Sequence, residues 1–290
     1  MGISLQSNFV IIYTQMLILI LSVNGQQQYL NNQQLNCDES NVSVSKGYYC
    51  DGIQRSCASF LTFRSRPPHY DSPETIATLL GSDATKIASI NNVSTTTNYK
   101  FDADKIVIVP ITCSCWGSLY QHVAPYKVNA GDSYFIIANN TYQGLTTCQA
   151  LDGQNFYNSE SLQVGAQISV PLRCACPSQN QMANDHVAFL LSYIVTWGDS
   201  VSSIGQVFGA HVQTIVAANN LTEDDLIFPF VPLLIPMKSE SCLENPANLL
   251  CSCPNGQYAY VLEDGRICAS QDKNNEAFPL KLVTILGVGL

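Results

Sequence analysis

Short runs of β-branched and other apolar residues that end in proline recur three times along the chain. The three runs are Ile106–Pro110, Gln167–Pro171 and Pro232–Pro236, and their final prolines lie 61 and 65 residues apart. Such apolar runs, bounded by proline, are typical of buried strands. A strand that returns at a nearly constant spacing predicts one small structural unit used three times.

The second unit has the clearest internal pattern. Tyr126–Val128 alternates as a strand, and the polar turn Ala130–Ser133 can cap the helix predicted over Tyr134–Asn139. Leu145–Leu151 has apolar residues at helical spacing, and Gln167–Val170 is the closing strand. The predicted order is therefore β-α-α-β.

The other two units repeat this order with different loops. In the third unit the predicted strands are Tyr193–Val195 and Leu233–Ile235, with helices marked by Val201–Phe208 and Val212–Val216. The first unit opens with a strand at Leu61–Phe63, then has the longer loop Arg64–Ser72, two helices marked by Ile76–Leu80 and Ile87–Asn91, and the run at Ile106.

The chain contains 12 cysteines, which fall on both sides of each unit. No Cys-x2-Cys pairs have the spacing of a zinc site, so the cysteines indicate disulfides. Cys113–Cys115 and Cys174–Cys176 are Cys-x-Cys pairs that follow the first two units. Cysteines one residue apart rarely bond to each other, so each is expected to reach another unit. Such bridges would stabilise units that are individually too small to be more than marginally stable.

The N-terminus predicts secretion. Phe9–Val23 is almost wholly apolar but short for a membrane span, and it is followed by a polar stretch, so residues 1–25 are interpreted as a signal peptide. Four N-glycosylation sequons support an extracellular location. They lie at Asn41, Asn92, Asn139 and Asn220.

The C-terminal part departs from the repeat. Residues 239–277 contain Cys242, Cys251, Cys253 and Cys268 and resemble the second half of an EGF-like module. We interpret this part as a disulfide-braced stalk, with a separate binding module as the alternative. Residues 278–290 begin an apolar run that is too short to span a bilayer. It is read as the truncated start of a transmembrane helix; a soluble form with an apolar tail and a GPI signal are the alternatives.

Charge and motifs favour binding of a neutral ligand over catalysis. The net charge is −9, only 12% of residues are charged, and no basic run is present, which argues against nucleic acid and anionic membrane surfaces as partners. A glycosidase needs two carboxylates across a cleft. The candidates Asp132 and Glu160 lie on loops of a unit too small for a deep cleft. No metal-ligand spacing or nucleophile motif occurs, so we predict no catalytic residues, no metal and no cofactor.

The repeat resembles a known module. Tyr126-x-Val128-x-x-Gly131-Asp132-Ser133, followed by Asn155 and a closing Ile168-x-Val170-Pro171, is similar to the LysM module. The third unit carries the same pattern from Tyr193-x-Val195 to Ser200. Three such modules separated by Cys-x-Cys resemble the ectodomain of plant LysM receptor-like kinases. Residues 139–148 and 170–177 look similar to the chitin-receptor subfamily whose kinase is poorly active or inactive.

The resemblance implies an α+β fold in which three small βααβ modules are clamped by disulfides into one compact ectodomain. The expected divisions are a cysteine-containing N-terminal segment over 26–57 and LysM modules over 58–112, 122–173 and 187–238. The family's pairing, carried over, implies the bridges Cys50–Cys115, Cys57–Cys176 and Cys113–Cys174. Cys37 and Cys148 are left over in this region, and we predict that they pair.

The resemblance also implies a ligand. Members of the family bind N-acetylglucosamine oligomers in a groove between two loops of one module, often the second. The matching positions are Ala130, Gly131, Asp132, Ser133, Tyr134, Phe156, Tyr157, Asn158, Ser159, Glu160 and Leu162. Gly131–Ser133 could instead be only a turn and a helix cap. The equivalent loop of the first module, near Asn98–Ala103, or of the third, Asp224–Phe228, could hold the ligand instead.

The function implied is perception of chitin-type oligosaccharides at the plant cell surface, for immune signalling with a LysM receptor kinase co-receptor. Any kinase domain would lie outside this chain. A receptor for lipo-chitooligosaccharides or peptidoglycan, and a soluble chitin-binding decoy, are the alternatives. The expected location is the extracellular side of the plasma membrane, or the secreted space, with a membrane span only if the chain continues.

Overall fold

A computed structural model describes residues 27–29, 37, 46–50, 54–94, 99–157, 162–222, 224–238, 257–262 and 265–270, the last two ranges as backbone. The strands are β1 (Tyr48–Tyr49), β2 (Ser56–Arg64), β3 (Ile106–Trp116), β4 (Leu119–Lys127), β5 (Gln167–Leu172), β6 (Phe189–Ile194), β7 (Pro232–Met237), β8 (Gln257–Leu262) and β9 (Gly265–Ser270). The helices are α1 (Pro73–Leu80), α2 (Ala84–Ile90), α3 (Tyr134–Ile136, continued by a π-helical turn Ile137–Thr141), α4 (Cys148–Gln154), α5 (Gln179–Asn184), α6 (Val201–Phe208) and α7 (Val212–Ala218).

The predicted βααβ order is confirmed in all three units. Module 1 is β2-α1-α2-β3, module 2 is β4-α3-α4-β5, and module 3 is β6-α6-α7-β7. In modules 1 and 2 the strands extend beyond the predicted runs, because β3 continues through the first Cys-x-Cys pair and turns directly into β4. The first spacer is therefore part of a β-hairpin. The predicted signal peptide, three of the stalk cysteines (Cys242, Cys251 and Cys253) and the final apolar run lie outside the described residues, whereas Cys268 lies in β9.

One asparagine closes each module by joining its second helix to its last strand. In module 2 the Asn155 amide nitrogen donates to the carbonyl oxygens of Leu151 and Ser169, both at 2.8 Å, and its oxygen accepts from the Ser169 N–H at 2.9 Å. Asn91 and Asn219 make the same three bonds in modules 1 and 3. Because each side chain satisfies a helix carbonyl and two strand groups, it fixes the helix on the sheet.

The modules are joined through one sheet with the strand order β1-β4-β3-β2-β6-β7, in which β5 also pairs with β4. Modules 1 and 3 meet where β2 and β6 pair in parallel, with Leu61 opposite Ser192. Buried hydroxyl groups extend this short pairing. The Ser59 hydroxyl donates to the Leu190 carbonyl at 2.8 Å, and the Thr62 hydroxyl accepts from the Ile194 N–H at 3.1 Å.

The strand directions bring the loops of the three modules to one end of the sheet. β4 is antiparallel to β3, β3 is antiparallel to β2, and β2 is parallel to β6. The first strands of all three modules therefore run the same way. We call the end where these strands finish the loop end, and the opposite end, where β3 turns into β4, the hairpin end.

Four disulfides hold this arrangement together. They are Cys37–Cys148, Cys50–Cys115, Cys57–Cys176 and Cys113–Cys174, the pairings expected from the sequence. The Cys57–Cys176 and Cys113–Cys174 bridges fasten the second spacer to β2 and β3 of module 1. The Cys37–Cys148 bridge attaches the N-terminal segment to the start of α4 in module 2.

A buried arginine lies where the N-terminal segment meets the modules. Arg173, between β5 and the second spacer, is only 1% exposed, and its guanidinium carbon lies 4.7 Å from the ring centroid of Tyr48. Burial lowers the pKa of Arg173. The Tyr48 hydroxyl in turn donates to the Pro232 carbonyl of module 3 at 3.1 Å. Residues of β1, module 2 and module 3 thus share one buried contact, in which the aromatic face offsets part of the cost of burying a cation.

At the loop end, two adjacent residues of module 2 connect it to both other modules. The buried Gln143 side chain donates to the Arg64 carbonyl at 2.7 Å and accepts from the Arg64 N–H at 3.0 Å. Gly144 has φ +93°, and a Cβ placed on it would lie 2.1 Å from the Phe230 carbonyl oxygen of module 3. This close approach fixes module 2 against module 3.

We predict that Gly144→Ala lowers the free energy of unfolding by roughly 2–4 kcal/mol, because it adds backbone overlap to the strain of a left-handed conformation. Gly117→Ala is the matched control: Gly117 also has positive φ, but nothing lies within 4 Å of its Cβ position. It should cost only the strain, about 1–2 kcal/mol. Urea unfolding of both variants measures the difference, and equal losses would contradict the close approach.

We predict that Cys148→Ser leaves one free thiol, at Cys37, and keeps the other three bridges. Thiol alkylation followed by peptide mass mapping measures this. Alkylation of both Cys37 and Cys148 in the unsubstituted protein would contradict the pairing.

Candidate functional site

Two loops leave module 2 at the loop end from a pair of hydrogen-bonded residues. The Gly165 N–H donates to the Val128 carbonyl at 2.8 Å, and the Val128 N–H donates to the Ala166 carbonyl at 2.9 Å. The first loop, 129–133, follows β4, and the second loop, 155–166, precedes β5. Among the predicted ligand-binding residues that the structure describes, Ala130–Ser133 lie on the first loop, Tyr134 lies on the first turn of α3, and Phe156, Tyr157 and Leu162 lie on the second loop. The loops therefore start side by side.

The carboxylate of Asp132 holds the first loop in shape. Its Oδ2 accepts from the Tyr126 hydroxyl at 2.9 Å and from the Asn129 N–H at 2.7 Å. The Ser133 hydroxyl accepts from the Ile136 N–H at 3.2 Å and caps α3. Asp132 and Ser133 thus perform the turn and cap roles that were the alternative to ligand binding, and direct ligand contact by either remains a prediction.

Ala130 and Gly131 form the exposed tip of the first loop. Gly131 has φ +86°, and no atom lies within 4 Å of where its Cβ would be. The backbone at this tip is therefore open to solvent on a loop whose conformation is already set by Asp132. Preset backbone groups of this kind suit hydrogen bonding to an amide-bearing ligand.

The predicted aromatic residues have different environments. Tyr134 is only 2% exposed, and its hydroxyl donates to the Tyr157 carbonyl at 3.3 Å. This buried side chain therefore connects α3 to the second loop. Phe156 is fully exposed, Tyr157 is 39% exposed, and Leu162 packs partly against the core. The exposed rings on the second loop are therefore Phe156 and Tyr157. Asn158, Ser159 and Glu160 lie outside the described residues.

Module 1 contributes a neighbour that the sequence did not reveal. The Arg66 guanidinium donates to the Asn140 carbonyl of module 2. Burial raises the pKa of Tyr70, and the Asp132 carboxylate raises it further. The long loop Arg64–Ser72 of module 1 therefore contacts the π-helical turn that continues α3. The loop of module 1 near residues 98–103, an alternative ligand site, is tied to the end of the long loop by an ion pair: Lys100 Nζ lies 2.5 Å from Asp71 Oδ1.

Module 3 repeats the construction of module 2. The Asp199 Oδ2 accepts from the Tyr193 hydroxyl at 2.9 Å and from the Thr196 N–H at 2.7 Å. Trp197 occupies the position of Ala130 in this loop and is 81% exposed. Trp197 is not among the predicted binding residues, because it lies at one of the two variable positions between the strand and the glycine of the turn.

The sequons differ in their surroundings. Asn92 and Asn220 are exposed residues with positive φ that directly follow the closing asparagines of modules 1 and 3. Asn139 is partly exposed in the π-helical turn, and Asn41 lies outside the described residues. Glycosylation at all four remains a prediction.

Among the residues that the structure describes, no group of three or more His, Cys, Asp or Glu side chains is placed to hold a metal ion. Among the same residues, no helix is both long enough and apolar enough to cross a bilayer.

Family models match each module in turn. The NFP/LYK LysM1 domain matches residues 56–116, the LYK3/4/5 LysM2 domain matches residues 119–173, and the LYK4/5 LysM3 domain matches residues 189–237. The solved LYK3 ectodomain has a TM-score of 0.54 at 22% identity, covering 64% of this chain and 91% of that one, which shows a shared fold. The fold is therefore that of a LysM ectodomain with three LysM domains.

Curated relatives agree with this class. Protein LYK5 of Arabidopsis thaliana is 41% identical over 237 residues, which cover 78% of this chain and 35% of LYK5. Chitin elicitor receptor kinase 1 of Arabidopsis thaliana is 28% identical over 124 residues, covering 41% of this chain and 20% of that protein. The chain spans about a third of LYK5. It belongs to the LYK family of plant LysM proteins.

The Tyr126–Asp132 bond predicts a loss of stability at alkaline pH. Burial and, after it, the hydrogen bond to the Asp132 carboxylate raise the pKa of Tyr126 to about 12. Because the pKa in the folded state is above the ordinary value of 10.0, the stabilisation is complete below pH 10 and is lost as pH rises toward about 12.

Tyr126→Phe should therefore reduce stability at neutral pH by about 1–3 kcal/mol and make the loss above pH 10 less steep. Urea unfolding between pH 8 and pH 11.5 measures both effects. Tyr193→Phe, which removes the equivalent bond in module 3, should behave in the same way. An alkaline slope unchanged in both variants would contradict the assignment.

Proposed function

We propose that this chain is the extracellular ligand-binding part of a plant cell-surface receptor for chitin-type oligosaccharides. The observation that carries the proposal is the pair of adjoining loops in module 2, one with its backbone preset by Asp132 and the other with the exposed Phe156. We further propose that module 2 is the main site. Its role is binding, and chemistry on the ligand is not part of the proposal.

The properties of these loops suit N-acetylglucosamine units. The open backbone at Ala130 and Gly131 can donate to and accept from an N-acetyl amide. Aromatic rings such as Phe156 and Tyr157 can pack against the apolar face of a sugar ring. The ligand is uncharged, which agrees with a chain in which only 12% of residues are charged.

The relatives support the wider role. The name of chitin elicitor receptor kinase 1 gives that relative both a chitin-derived ligand and a kinase. By analogy we propose that this chain acts in defence signalling with a LysM receptor kinase as co-receptor, on the extracellular side of the plasma membrane. A soluble decoy that sequesters chitin is the alternative, in which the same binding occurs without a co-receptor.

One observation favours a second ligand class. Phe156 and Val164 are both well exposed apolar side chains on the second loop of module 2. An acyl chain attached to an N-acetylglucosamine oligomer could lie against them, so a lipo-chitooligosaccharide is the second candidate ligand. Peptidoglycan, which also contains N-acetylglucosamine, is distinguished by its peptide.

Calorimetric titration tests these proposals. We expect the chitin octamer to bind more tightly than the dimer, because longer oligomers reach more contacts or two receptors. Phe156→Ala should weaken octamer binding about tenfold, which corresponds to about 1.4 kcal/mol of lost contact. Trp116→Ala, a comparably exposed aromatic residue at the hairpin end, is the control and should leave binding unchanged.

Other results identify the alternatives. Equal affinity for dimer and octamer would overturn the expected preference for length. Tighter binding of a lipo-chitooligosaccharide than of the matching chitin oligomer, lost in Phe156→Ala, would favour the second candidate. Binding of a muropeptide without binding of any chitin oligomer would replace chitin by peptidoglycan.

A further inference from the structure

The two tryptophans of the chain are both exposed and lie at opposite ends of the sheet. Trp116 is 70% exposed at the end of β3, next to the turn into β4. Trp197 is 81% exposed on the first loop of module 3, at the loop end. The nine residues of β2 run from one end to the other, so roughly 30 Å separates the two ends.

The loop that carries Trp197 is built like the candidate loop of module 2. The tyrosine hydroxyl to aspartate distance is 2.9 Å in both modules, and the backbone N–H to aspartate distance is 2.7 Å in both. Module 3 adds a bond of 3.0 Å from the Thr196 hydroxyl to Asp199. The indole is thus held in solvent by a loop with little conformational freedom left to lose.

The second loop of module 3 is also fixed, and it starts beside the first. The Phe230 N–H donates to the Val195 carbonyl at 2.9 Å, so the two loops leave from paired backbone as they do in module 2. The Phe228 N–H donates to the Tyr29 hydroxyl of the N-terminal segment at 2.8 Å. Leu226, near the tip of this loop, is 73% exposed.

We propose that these two loops form a second oligosaccharide site, in which one face of an N-acetylglucosamine ring stacks on the Trp197 indole and Leu226 contacts the acetyl methyl group. The proposal rests on the chitin-type ligand proposed for module 2 and adds a second point of contact for it. The C–H groups on one face of a sugar ring meet the electron-rich face of the indole. Because both loops are already ordered, binding would cost little conformational entropy.

The charges around the loop are consistent with a neutral ligand. The nearest cation from module 1, the Arg64 guanidinium, donates to the Thr196 hydroxyl at 3.3 Å and lies 3.6 Å from the Asp104 carboxylate. The Asp199 carboxylate accepts one hydrogen bond from Tyr193 of β6 and two from Thr196 of its own loop. These charged groups are therefore engaged within the protein. On the second loop, Asp224 and Asp225 are exposed, and the Asp225 carboxylate accepts from the Thr222 N–H at 2.6 Å. The exposed apolar surface available to a sugar ring includes the indole and the Leu226 side chain.

Single-tryptophan variants test the site directly. Trp116→Phe leaves Trp197 as the only tryptophan, and Trp197→Phe leaves Trp116. On titration with chitin tetramer and octamer, we expect the emission of Trp197 to shift and saturate, while that of Trp116 stays constant. In calorimetry, Trp197→Ala should weaken octamer binding at least about fivefold, while Trp116→Ala leaves it unchanged. Thermal unfolding of both alanine variants checks that the fold is retained.

A further variant separates this site from module 2. Phe156→Ala in the Trp116→Phe background should keep the saturating emission change of Trp197 with tetramer. If octamer binds but Trp197 emission stays constant and Trp197→Ala binds as tightly as Trp116→Ala, the second site is overturned and the proposed function stands. If no chitin oligomer binds the unsubstituted protein, the proposed function is overturned, and the second site, which rests on it, is overturned with it. If Trp197→Ala loses only capture of a co-receptor ectodomain, the surface is a protein contact and the proposal is overturned.

Discussion

The parallel pairing of β2 with β6 is the constraint on which the arrangement of the candidate sites depends. It is short, but the hydroxyl groups of Ser59 and Thr62 extend it across the strands. Without this pairing, module 3 would be held to module 1 mainly by side-chain packing and by the second Cys-x-Cys spacer, which is bridged to module 1. With it, the first strands of all modules run in one direction and their loops meet at one end. The close approach of Gly144 to Phe230 of module 3 depends on this alignment.

Within each module, hydrogen bonds from polar side chains set the backbone conformation. Few of these polar groups are then left to bind a ligand. The closing asparagines make three bonds each, and Asp132 and Asp199 use their carboxylates to hold the loops that follow the first strands. The module pattern of tyrosine, glycine, aspartate and serine is therefore mainly an architectural signal. Differences in ligand binding between modules must come from residues outside it, such as Ala130 in one loop and Trp197 in the other.

The sequence predicted the helices and strands within each module, and the resemblance to a known family predicted how most of the bridged cysteines pair. Periodicity predicted the helices and strands of each module, and the family pattern supplied three cysteine pairings, with Cys37–Cys148 following from the two cysteines left over. The hairpin formed by the first spacer was not predicted, because Cys113 and Cys115 were interpreted as disulfide partners rather than as positions of a strand. Periodicity could not place Gln143 either, since its partner Arg64 lies 79 residues away in the sequence. Trp197 was present in the turn pattern, but its exposure depends on the loop being held away from the core.

The contact between Gly144 and Phe230 limits which lengths of ligand can reach modules 2 and 3 together. Because backbone meets backbone there, module 2 cannot hinge against module 3 without breaking the packing. The separation between their loops is then a constant of the fold, unlike that of domains joined by a flexible linker. In an ectodomain of this kind, a saccharide contacts both modules only when its length matches this fixed separation.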